Sequence, residues 1–449
     1  MEREKLGSRL GFILLSAGCA IGLGNVWTFP WKTGNNGGGI FVLFYVIALL
    51  LLGIPVMAAE FTVGRAAQAS PLNMYQKLEK PGSKWHGHGI LCLIGNFCLM
   101  MFYTTIAGYF FHYLIKFLQG DTADLTFGST ISNTGVNVGF MVLVCALGFL
   151  VLSFNMQKGL EKVNKYMMLC LFALMVVLVV HSLTMDGAKE GVAFYLVPDF
   201  SKFSLDTLVA AMQQAFFSLS LGMGSMAIFG SYIGKDRTLL GEATNVVALD
   251  TLVALMAGFI IFPAAFTFDI NVDAGPSLLF TTMVSVFNKM AGGRIWGSLF
   301  FLFKIFAAMS TVFAVFENIL AMVREMTGWS RKKGCLILFF VMVALCMPMA
   351  LTWNVLADFH PIDVGSNSGT CFLDLWDFIV ETVIQPLGSV IFLVFCAHKF
   401  GGFGWKKFED EANAGKGPKV RPWMRIIFGY VSPAIIAALW IYGLISFFS

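Results

Sequence analysis

Long apolar stretches follow one another along most of the chain, and short polar segments separate them. A membrane-spanning helix needs roughly 20 mainly apolar residues to cross a hydrocarbon core about 30 Å thick. Backbone groups in lipid must be hydrogen-bonded within their own segment, and the alternation of membrane-barrel strands is missing, so the pattern predicts helices. Eleven segments are predicted, at about 10–34, 39–63, 88–118, 138–154, 164–184, 207–232, 244–268, 296–323, 334–352, 373–398 and 424–447.

The composition narrows the class of protein. The 449 residues are 57% hydrophobic and only 12% charged, whereas soluble proteins have about 25% charged residues. A net charge of +4 is too small to favour nucleic acid as a partner. The nine cysteines contain no CxxC pair and favour neither a disulfide framework nor a zinc site. The chain is expected to be an all-α integral membrane protein with a single membrane domain over residues 1–449.

Lysine and arginine concentrate in every second connection, beginning with the N-terminal segment. The positive-inside rule places those connections in the cytoplasm, so the N-terminus is expected inside and the C-terminus outside a plasma or inner membrane. The first apolar stretch is expected to be a retained helix rather than a cleaved signal. The hydrophilic stretch 406–421 is expected to be a cytoplasmic linker, and His86 and His88 are expected to be solvated in a cytoplasmic loop.

Two G-x-G sequences, at 22–24 and 222–224, lie inside the first and sixth predicted helices. Each begins a half of five helices, and because five is an odd number the two halves have inverted topology. The repeats cover about 9–184 and 206–398, and an additional helix covers about 424–447. One glycine pair often only lets helices pack closely. Two pairs at matching positions of inverted repeats are instead the best sequence indication of a transporter's central site.

The residues around these glycines suggest what the central site binds. An interrupted helix exposes carbonyl oxygens at one side of the break and N–H groups at the other. The carbonyl oxygens can bind a cation and the N–H groups can bind a carboxylate, so the pair suits a zwitterion. Asn25, Ser218 and Ser220 add side-chain oxygens beside the breaks. Asp250 lies in an apolar helix, where an ionised carboxylate costs about 2.5–3.5 kcal/mol and often marks an ion path. Pairing with a lysine is the alternative interpretation of Asp250.

Other polar residues in apolar segments have less specific interpretations. Glu60 either takes part in transport or accepts hydrogen bonds from N–H groups of an unwound helix, and for Glu317 packing and transport remain equally open. Ala307, Ser310 and Thr311 share one face of the eighth helix. Their hydroxyls either contribute to an ion site or bond to their own helix.

Short motifs run along nearly the whole chain: RLGF at 9–12, GCAIGLGN at 18–25, FP at 29–30, NGGG at 36–39, GIP at 53–55, GR at 64–65, FSLSLG at 217–222, DT at 250–251 and FPAA at 262–265. This set resembles the neurotransmitter:sodium symporter family, and the short loops resemble its prokaryotic amino-acid transporters. The resemblance implies a leucine-transporter-type fold, two sodium ions, and one amino acid bound between helices 1, 3, 6 and 8. It implies no enzyme activity, organic cofactor or nucleic-acid partner.

The resemblance also implies which residues bind each ligand. The first sodium ion would be held by the carbonyl of Ala20 with Asn25, Ser218, Asp250 and the substrate carboxylate. The second would be held by the carbonyls of Gly18, Ile21 and Ala307 and the hydroxyls of Ser310 and Thr311. The substrate would contact Ala20, Gly22, Gly24, Leu99, Tyr103, Phe217, Ser218, Ser220, Met223, Thr311 and Val315.

Two positions refine the expected substrate and ions. Monoamine carriers of the family have an aspartate where this chain has Gly22, so Gly22 leaves room for the carboxylate of an amino acid. The implied side-chain pocket, which includes Leu99 and Met223, is uncharged and would bury an apolar side chain. We therefore expect a hydrophobic or aromatic L-amino acid. Asp250 would supply a fixed negative charge beside the first sodium ion, so we expect transport without chloride.

The gates follow the family pattern only in part. At the inner gate Arg3 and Glu325 match the ion pair, with Tyr232 beside it. At the outer gate Asp377 matches the acidic residue, but Thr28 occupies the position of its usual arginine.

Several points stay open at the level of the sequence. Lys32 or Lys304 could replace the missing arginine, or Tyr103 and Phe217 could close the outer pathway alone. Lys304 is otherwise unexplained, since a charged lysine would repel a nearby sodium ion. The alternatives to sodium symport are a proton-coupled amino-acid carrier of the same fold and a sensor or channel that does not transport. The oligomeric state is not predicted.

Overall fold

The structure is a computed structural model that describes residues 8–154, 157–272, 275–361, 371–398, 400 and 402–448. Throughout these residues the regular secondary structure is helical, apart from an isolated bridge between Arg237 and Lys416. The prediction of an all-α fold is therefore confirmed.

We number the helices that correspond to the eleven predicted segments α1 to α11. Among the described residues, nine unbroken helices are long and apolar enough to cross a membrane. They are α2 (Gly39–Ala67), α3 (Gly87–Gln119), α4 (Thr134–Ser153), α5 (Gly159–Leu183), α7 (Leu239–Thr267), α8 (Gly293–Thr327), α9 (Arg331–Ala350), α10 (Phe372–Ala397) and α11 (Met424–Phe448).

The first segment, α1, consists of two helices, Arg9–Ala20 and Gly24–Asn35, that are bent by 50° relative to each other. Ile21 ends the first helix with an extended ψ of 93°, so the helical hydrogen-bond pattern stops there. The second helix resumes with a π-helical turn over Gly24–Thr28. The break therefore lies where the first G-x-G sequence predicts it.

The sixth segment, α6, is also interrupted and consists of Leu205–Ser218 and Ser225–Gly230. Between these helices the φ angles of Ser220, Gly222 and Gly224 are 51°, 81° and 70°. Glycine adopts this left-handed region without a steric penalty, which explains the second G-x-G sequence. Both predicted breaks are confirmed. Neither half of α6 is long enough to span a membrane by itself, so the count of eleven spans remains a prediction.

Helix α8 forms the centre of the bundle and packs against α1, α3, α4 and α5. Its most apolar window is 83% buried, whereas the corresponding window of α11 is only 22% buried. A helix surrounded by protein can carry inward-facing polar groups that lipid would not tolerate. The buried polar residues of α8 are therefore strong candidates for a functional role.

The hydrophilic stretch 406–421 is docked onto the bundle. It includes the helix Trp405–Ala412, which packs against α2. The buried Arg65 side chain of α2 donates to Glu411 Oε1 at 2.8 Å and to the carbonyl of Gly234. This stretch therefore connects the end of α2 to the segment that follows α6.

The expectation of a solvated His88 is wrong. Helix α3 begins at Gly87, so His88 lies in its first turn, where it is only 6% exposed. Its Nδ1 is 2.6 Å from the Tyr75 hydroxyl, and its ring contacts that of Phe392. His86 is 42% exposed and pairs with Glu79, so burial begins between these two histidines.

Candidate functional site

The carbonyl oxygens at the break of α1 meet two hydroxyls from α8. Ser310 Oγ donates to the carbonyl of Ile21 at 3.1 Å and also lies 2.8 Å from its own helix carbonyl at Ala307. Thr311 Oγ1 lies 3.1 Å from the carbonyl of Gly18 and 3.3 Å from that of Ile21. All five residues implied for the second sodium site are thus linked by these contacts and buried.

Two of the residues implied for the first sodium site, Asn25 and Ser218, lie close to Asp250. Asn25 Nδ2 donates to Asp250 Oδ1 at 2.8 Å and to its backbone carbonyl at 2.9 Å. The hydroxyl of Tyr45 donates to Asp250 Oδ2 at 3.4 Å and is hydrogen-bonded to the hydroxyl of Ser218 at 3.2 Å. These side chains are fully buried. Helices α1, α2, α6 and α7 therefore each contribute a polar group to this cluster.

The two clusters suit sodium ions in their donor chemistry. They consist of carbonyl, hydroxyl, amide and carboxylate oxygens, which are the hard ligands that alkali and alkaline-earth cations prefer. No group of three or more His, Cys, Asp or Glu residues that could hold a metal ion occurs in the part of the chain that is described. The described donor sets are therefore those of an alkali cation rather than of a transition metal.

The space beside Gly22 lies between α3 and α8. The Leu23 N–H donates to the Tyr103 hydroxyl at 2.9 Å. A Cβ atom at Gly22 would collide with both the Tyr103 hydroxyl and Thr311 Oγ1. A side chain at Gly22 would therefore require the hydroxyls of Tyr103 and Thr311 to move. The carboxylate position beside Gly22 stays a prediction.

The other residues implied for substrate binding lie at the junction of the two breaks. Ser220 Oγ donates to the Cys19 carbonyl at 3.1 Å, which links α6 to α1. At Gly24 a Cβ atom would lie 2.7 Å from Ser218 Cα, so the two helices touch through their backbones. The implied pocket side chains are also buried, and they are Leu99, Phe217, Met223 and Val315.

Glu60 contacts the break of α6 rather than the sodium clusters. Its Oε1 accepts from the Gly222 N–H at 2.7 Å, and its Oε2 accepts from the Met226 N–H at 3.2 Å. These N–H groups have no acceptor within their own helix, because the helix is interrupted there. The structure supports the interpretation that Glu60 satisfies an unwound helix.

Glu317 takes part in an ion pair between α8 and α9. Its Oε2 is 2.5 Å from Arg331 Nη2, and its Oε1 accepts from Arg331 Nη1 and from the Tyr232 hydroxyl. Arg331 also donates to the carbonyl of Leu152 in α4. These contacts favour the packing interpretation of Glu317.

The inner gate lies partly outside the described residues, because Arg3 is not among them. Its predicted partner Glu325 accepts from the backbone N–H of Ser70 at 3.0 Å and from Asn73 Nδ2 at 2.9 Å. Glu325 therefore binds the N-terminal turn of the helix Pro71–Leu78. The pair of Arg3 and Glu325 stays a prediction.

Near the predicted outer gate, Lys32, one of the two lysines considered as a replacement for the arginine, pairs with Glu381, an acidic residue that was not predicted. Lys32 Nζ is 2.5 Å from Glu381 Oε2, and both side chains are buried. Thr28, which replaces the usual arginine, donates to Gln214 Oε1 at 2.9 Å. Asp377 lies about one helical turn before Glu381 in α10 and makes no ion pair with another described residue. The gate role of Asp377 stays a prediction.

Lys304 is buried in α8, and its ammonium donates to the carbonyl of Val26. Pro30 lies four residues after Val26 and has no N–H group to offer that carbonyl. The ammonium also lies 4.6 Å from the Phe300 ring centroid. Lys304 therefore satisfies a carbonyl of α1 and contacts an aromatic face, and it does not pair with Asp377 or Glu381.

Sequence reasoning missed Tyr45, Gln214 and Asn96, which contact site residues, and Glu381, which pairs with Lys32. Each is a polar residue in an apolar segment, which is a signal for function in membrane helices. Tyr45 and Gln214 were overlooked because an isolated tyrosine or glutamine can also bond to a nearby carbonyl. Their partners lie on other helices, so only the packing identifies them.

Two interrupted helices that bring buried oxygen clusters together in the centre of an apolar bundle are the architecture of an ion-coupled secondary transporter. The model of the sodium:neurotransmitter symporter family matches residues 3–123 and 117–449. The chain belongs to this family, and it is a sodium-dependent membrane transporter rather than an enzyme.

Individual relatives match over nearly their whole length. The sodium-dependent transporter YhdH of Bacillus subtilis is 35% identical over 421 residues, which are 91% of each chain. The sodium-dependent transporter MJ1319 of Methanocaldococcus jannaschii is 32% identical over 98% of this chain and 90% of the relative. The crystal structure of MhsT in complex with L-phenylalanine is 34% identical, covers 98% of this chain and 99% of its own, and superposes with a TM-score of 0.88. The predicted family and fold are confirmed.

Proposed function

We propose that the protein is a symporter that imports a hydrophobic or aromatic L-amino acid together with two sodium ions by alternating access. The observation that carries this proposal is the meeting of the α1 break, the α6 break and the buried carboxylate of Asp250. Peptide groups freed by the breaks would bind the zwitterion and, with the side-chain oxygens, the cations. The similarity to a transporter crystallised with L-phenylalanine supports this substrate class.

The two sodium ions would occupy the two oxygen clusters. At the first, Asn25, Ser218, Asp250 and the Ala20 carbonyl would hold the ion, and the substrate carboxylate would complete its coordination. Sodium and substrate would then bind cooperatively, because each supplies part of the other's site. At the second, Ser310 and Thr311 would turn their hydroxyl oxygens from the carbonyls of α1 toward the ion.

The substrate would lie with its carboxylate near Gly22 and the Tyr103 hydroxyl. The Tyr103 hydroxyl lies beside Gly22, where it would donate a hydrogen bond to the carboxylate of the substrate. The buried side chains of Leu99, Phe217 and Val315 carry no charge. Each CH₂ group buried among them would contribute about 0.8 kcal/mol to binding, which favours apolar amino acids.

Asp250 would replace the chloride ion that many relatives in this family need. Its carboxylate is within hydrogen-bond distance of Asn25 and Tyr45, and in its ionised form it would fix a negative charge beside the first sodium site. A second anion there would be repelled. Transport is therefore expected to proceed without chloride.

The driving force would come from sodium entering a negatively charged cytoplasm. A potential of about 100 mV contributes about 2.3 kcal/mol per charge, and a tenfold gradient adds about 1.4 kcal/mol. Two ions would supply about 7 kcal/mol, enough for roughly 10⁵-fold accumulation. Outward closure would involve the pair of Lys32 and Glu381 together with Tyr103 and Phe217, and inward closure the predicted pair of Arg3 and Glu325.

A direct test is uptake of labelled L-phenylalanine into proteoliposomes under an inward sodium gradient. We expect accumulation that stops when choline replaces sodium and continues when gluconate replaces chloride. Uptake that persists in choline and follows a pH gradient would favour proton coupling. Binding without uptake or counterflow would favour a sensor.

A further inference from the structure

Two buried asparagines occupy equivalent positions on the two central helices. Asn96 of α3 precedes Tyr103 by seven residues, and Asn318 of α8 follows Thr311 by seven residues. Seven residues are about two helical turns, or about 10 Å, so each asparagine lies on the same face as the site residue of its helix. Because α3 and α8 are predicted to run in opposite directions, both asparagines lie on the cytoplasmic side of the substrate site. Neither asparagine is exposed.

These asparagines connect three helices directly below the proposed substrate pocket. Asn96 Nδ2 donates to the Met223 carbonyl in the α6 break at 2.9 Å. Asn96 Oδ1 accepts from the hydroxyl of Ser225 at 3.2 Å and from Asn318 Nδ2 at 3.4 Å. The layer cytoplasmic to Leu99 is therefore a polar network rather than a continuation of the apolar pocket.

One hydrogen-bond acceptor of this network is unpaired among the described residues. Asn318 Oδ1 is buried and accepts no hydrogen bond from any residue that the structure describes. Side chains on a helix lean toward its N-terminus, which for α8 is the direction of Val315 and Thr311. Asn318 is three residues, about one turn, from Val315, and because its Nδ2 is hydrogen-bonded to Asn96, its Oδ1 is the amide atom left for a ligand. A ligand that brings a hydrogen-bond donor to this position removes the cost of a buried unpaired acceptor.

We propose that Asn318 determines specificity by accepting a hydrogen bond from the far end of an aromatic substrate side chain, so that the site takes L-tyrosine as well as L-phenylalanine. Asn96 acts as the positioning residue that holds the Asn318 amide and the Met223 carbonyl. This inference rests on the proposed function, because it names which amino acids the same site binds. The proposed pocket then has apolar walls and one polar group, Asn318, at its far end.

The experiment compares three ligands that differ at one position of the ring. Sodium-dependent binding of L-phenylalanine, L-tyrosine and 4-methyl-L-phenylalanine is measured on the purified full-length protein. L-Tyrosine and 4-methyl-L-phenylalanine have rings of similar length, but only L-tyrosine donates a hydrogen bond. We expect the wild type to bind L-tyrosine about tenfold more tightly than the methyl analogue. L-Tyrosine forms one buried hydrogen bond, whereas the methyl analogue leaves the buried acceptor unpaired.

The variant Asn318→Leu removes the acceptor and keeps a side chain that branches at Cγ. We expect the ratio of its affinities for L-tyrosine and the methyl analogue to fall to about one. The matched control is Asn137→Leu, because Asn137 Oδ1 is also buried without a partner among the described residues but lies in α4, away from the site. The control should keep the wild-type preference.

The outcomes separate this inference from the proposed function. If L-phenylalanine binds with sodium but the wild type does not distinguish L-tyrosine from the methyl analogue, the role of Asn318 is refuted and the proposed function stands. An unchanged preference in Asn318→Leu would refute that role in the same way. If none of the three ligands binds in a sodium-dependent manner, the proposed substrate class itself is wrong. The wild-type comparison decides the question even if Asn318→Leu fails to fold.

Discussion

The two interrupted helices carry the same glycine signature, but their exposed groups have different partners. At the α1 break, carbonyl oxygens face the hydroxyls of Ser310 and Thr311, which can turn toward an ion. At the α6 break, N–H groups face the carboxylate of Glu60, which already satisfies them. The first break is therefore suited to bind cations, and the second is anchored by the protein itself. Substitutions should affect sodium dependence at α1 and stability at α6.

Asp250→Asn should have the largest effect on transport. The substitution removes the charge beside Asn25, Tyr45 and the proposed first sodium ion. Losing a charged ligand costs about 3 kcal/mol, so sodium-driven uptake without chloride should fall by about 100-fold. Uptake of labelled L-phenylalanine with and without chloride measures the effect. Recovery of activity in chloride would support the assignment of Asp250 to the first sodium site. Full chloride-free uptake in the variant would contradict that assignment.

Glu60→Ala should reduce stability whether or not sodium is present. It leaves the N–H groups of Gly222 and Met226 buried without their acceptor, at a cost of about 1–3 kcal/mol each. The melting temperature in detergent should fall by a similar amount with sodium and with choline. Glu190→Ala, at an exposed position, serves as the control and should melt like the wild type. A loss of stability confined to sodium-containing buffer would place Glu60 in the ion site instead.

Thr311→Val should affect sodium dependence and leave the sodium-free protein stable. The valine has the shape of threonine without the hydroxyl that faces the carbonyls of Gly18 and Ile21. The sodium concentration for half-maximal binding of substrate should rise about tenfold. Thr105→Val in α3 is the control, because Thr105 Oγ1 is buried and has no partner among the described residues. An unchanged sodium requirement in Thr311→Val would argue against the second sodium site.

The double variant Lys32→Met and Glu381→Gln should have the smallest effect. The pair is buried, so removing one partner leaves an uncompensated charge, whereas neutralising both avoids that cost. The maximum uptake rate should change by about threefold, and sodium and substrate affinities should stay near those of the wild type. The single variants should be more impaired than the double variant. If sodium affinity fell in the double variant as much as in Thr311→Val, the pair would belong to the site rather than to a gate.

The sequence predicts the breaks and most of the proposed sodium ligands because their chemistry is unusual for lipid. A carboxylate such as Asp250 is costly in a membrane helix unless it has a function, and two glycine pairs at matching positions of inverted repeats indicate a transporter's central site. The partners across the bundle are harder to predict. Whether Glu60 binds an ion or an unwound helix depends on its distance from Gly222, and the pairing of Lys32 with Glu381 depends on how α1 and α10 pack.

His88 shows the opposite failure. Its position just after a basic loop suggested a solvated residue, but the first turn of α3 packs against α10 and buries it. The boundary between loop and helix decided its environment, and boundaries are the least certain part of a sequence-based prediction.

Sodium and an amino acid are proposed to bind together where the two breaks meet. The melting temperature of the purified protein, screened over the twenty amino acids in sodium and in choline, measures this coupling. We expect apolar and aromatic amino acids to stabilise the protein strongly in sodium and not in choline, because ligand and ion share one site. Equal stabilisation in choline, or none by any amino acid in sodium, would contradict the proposal.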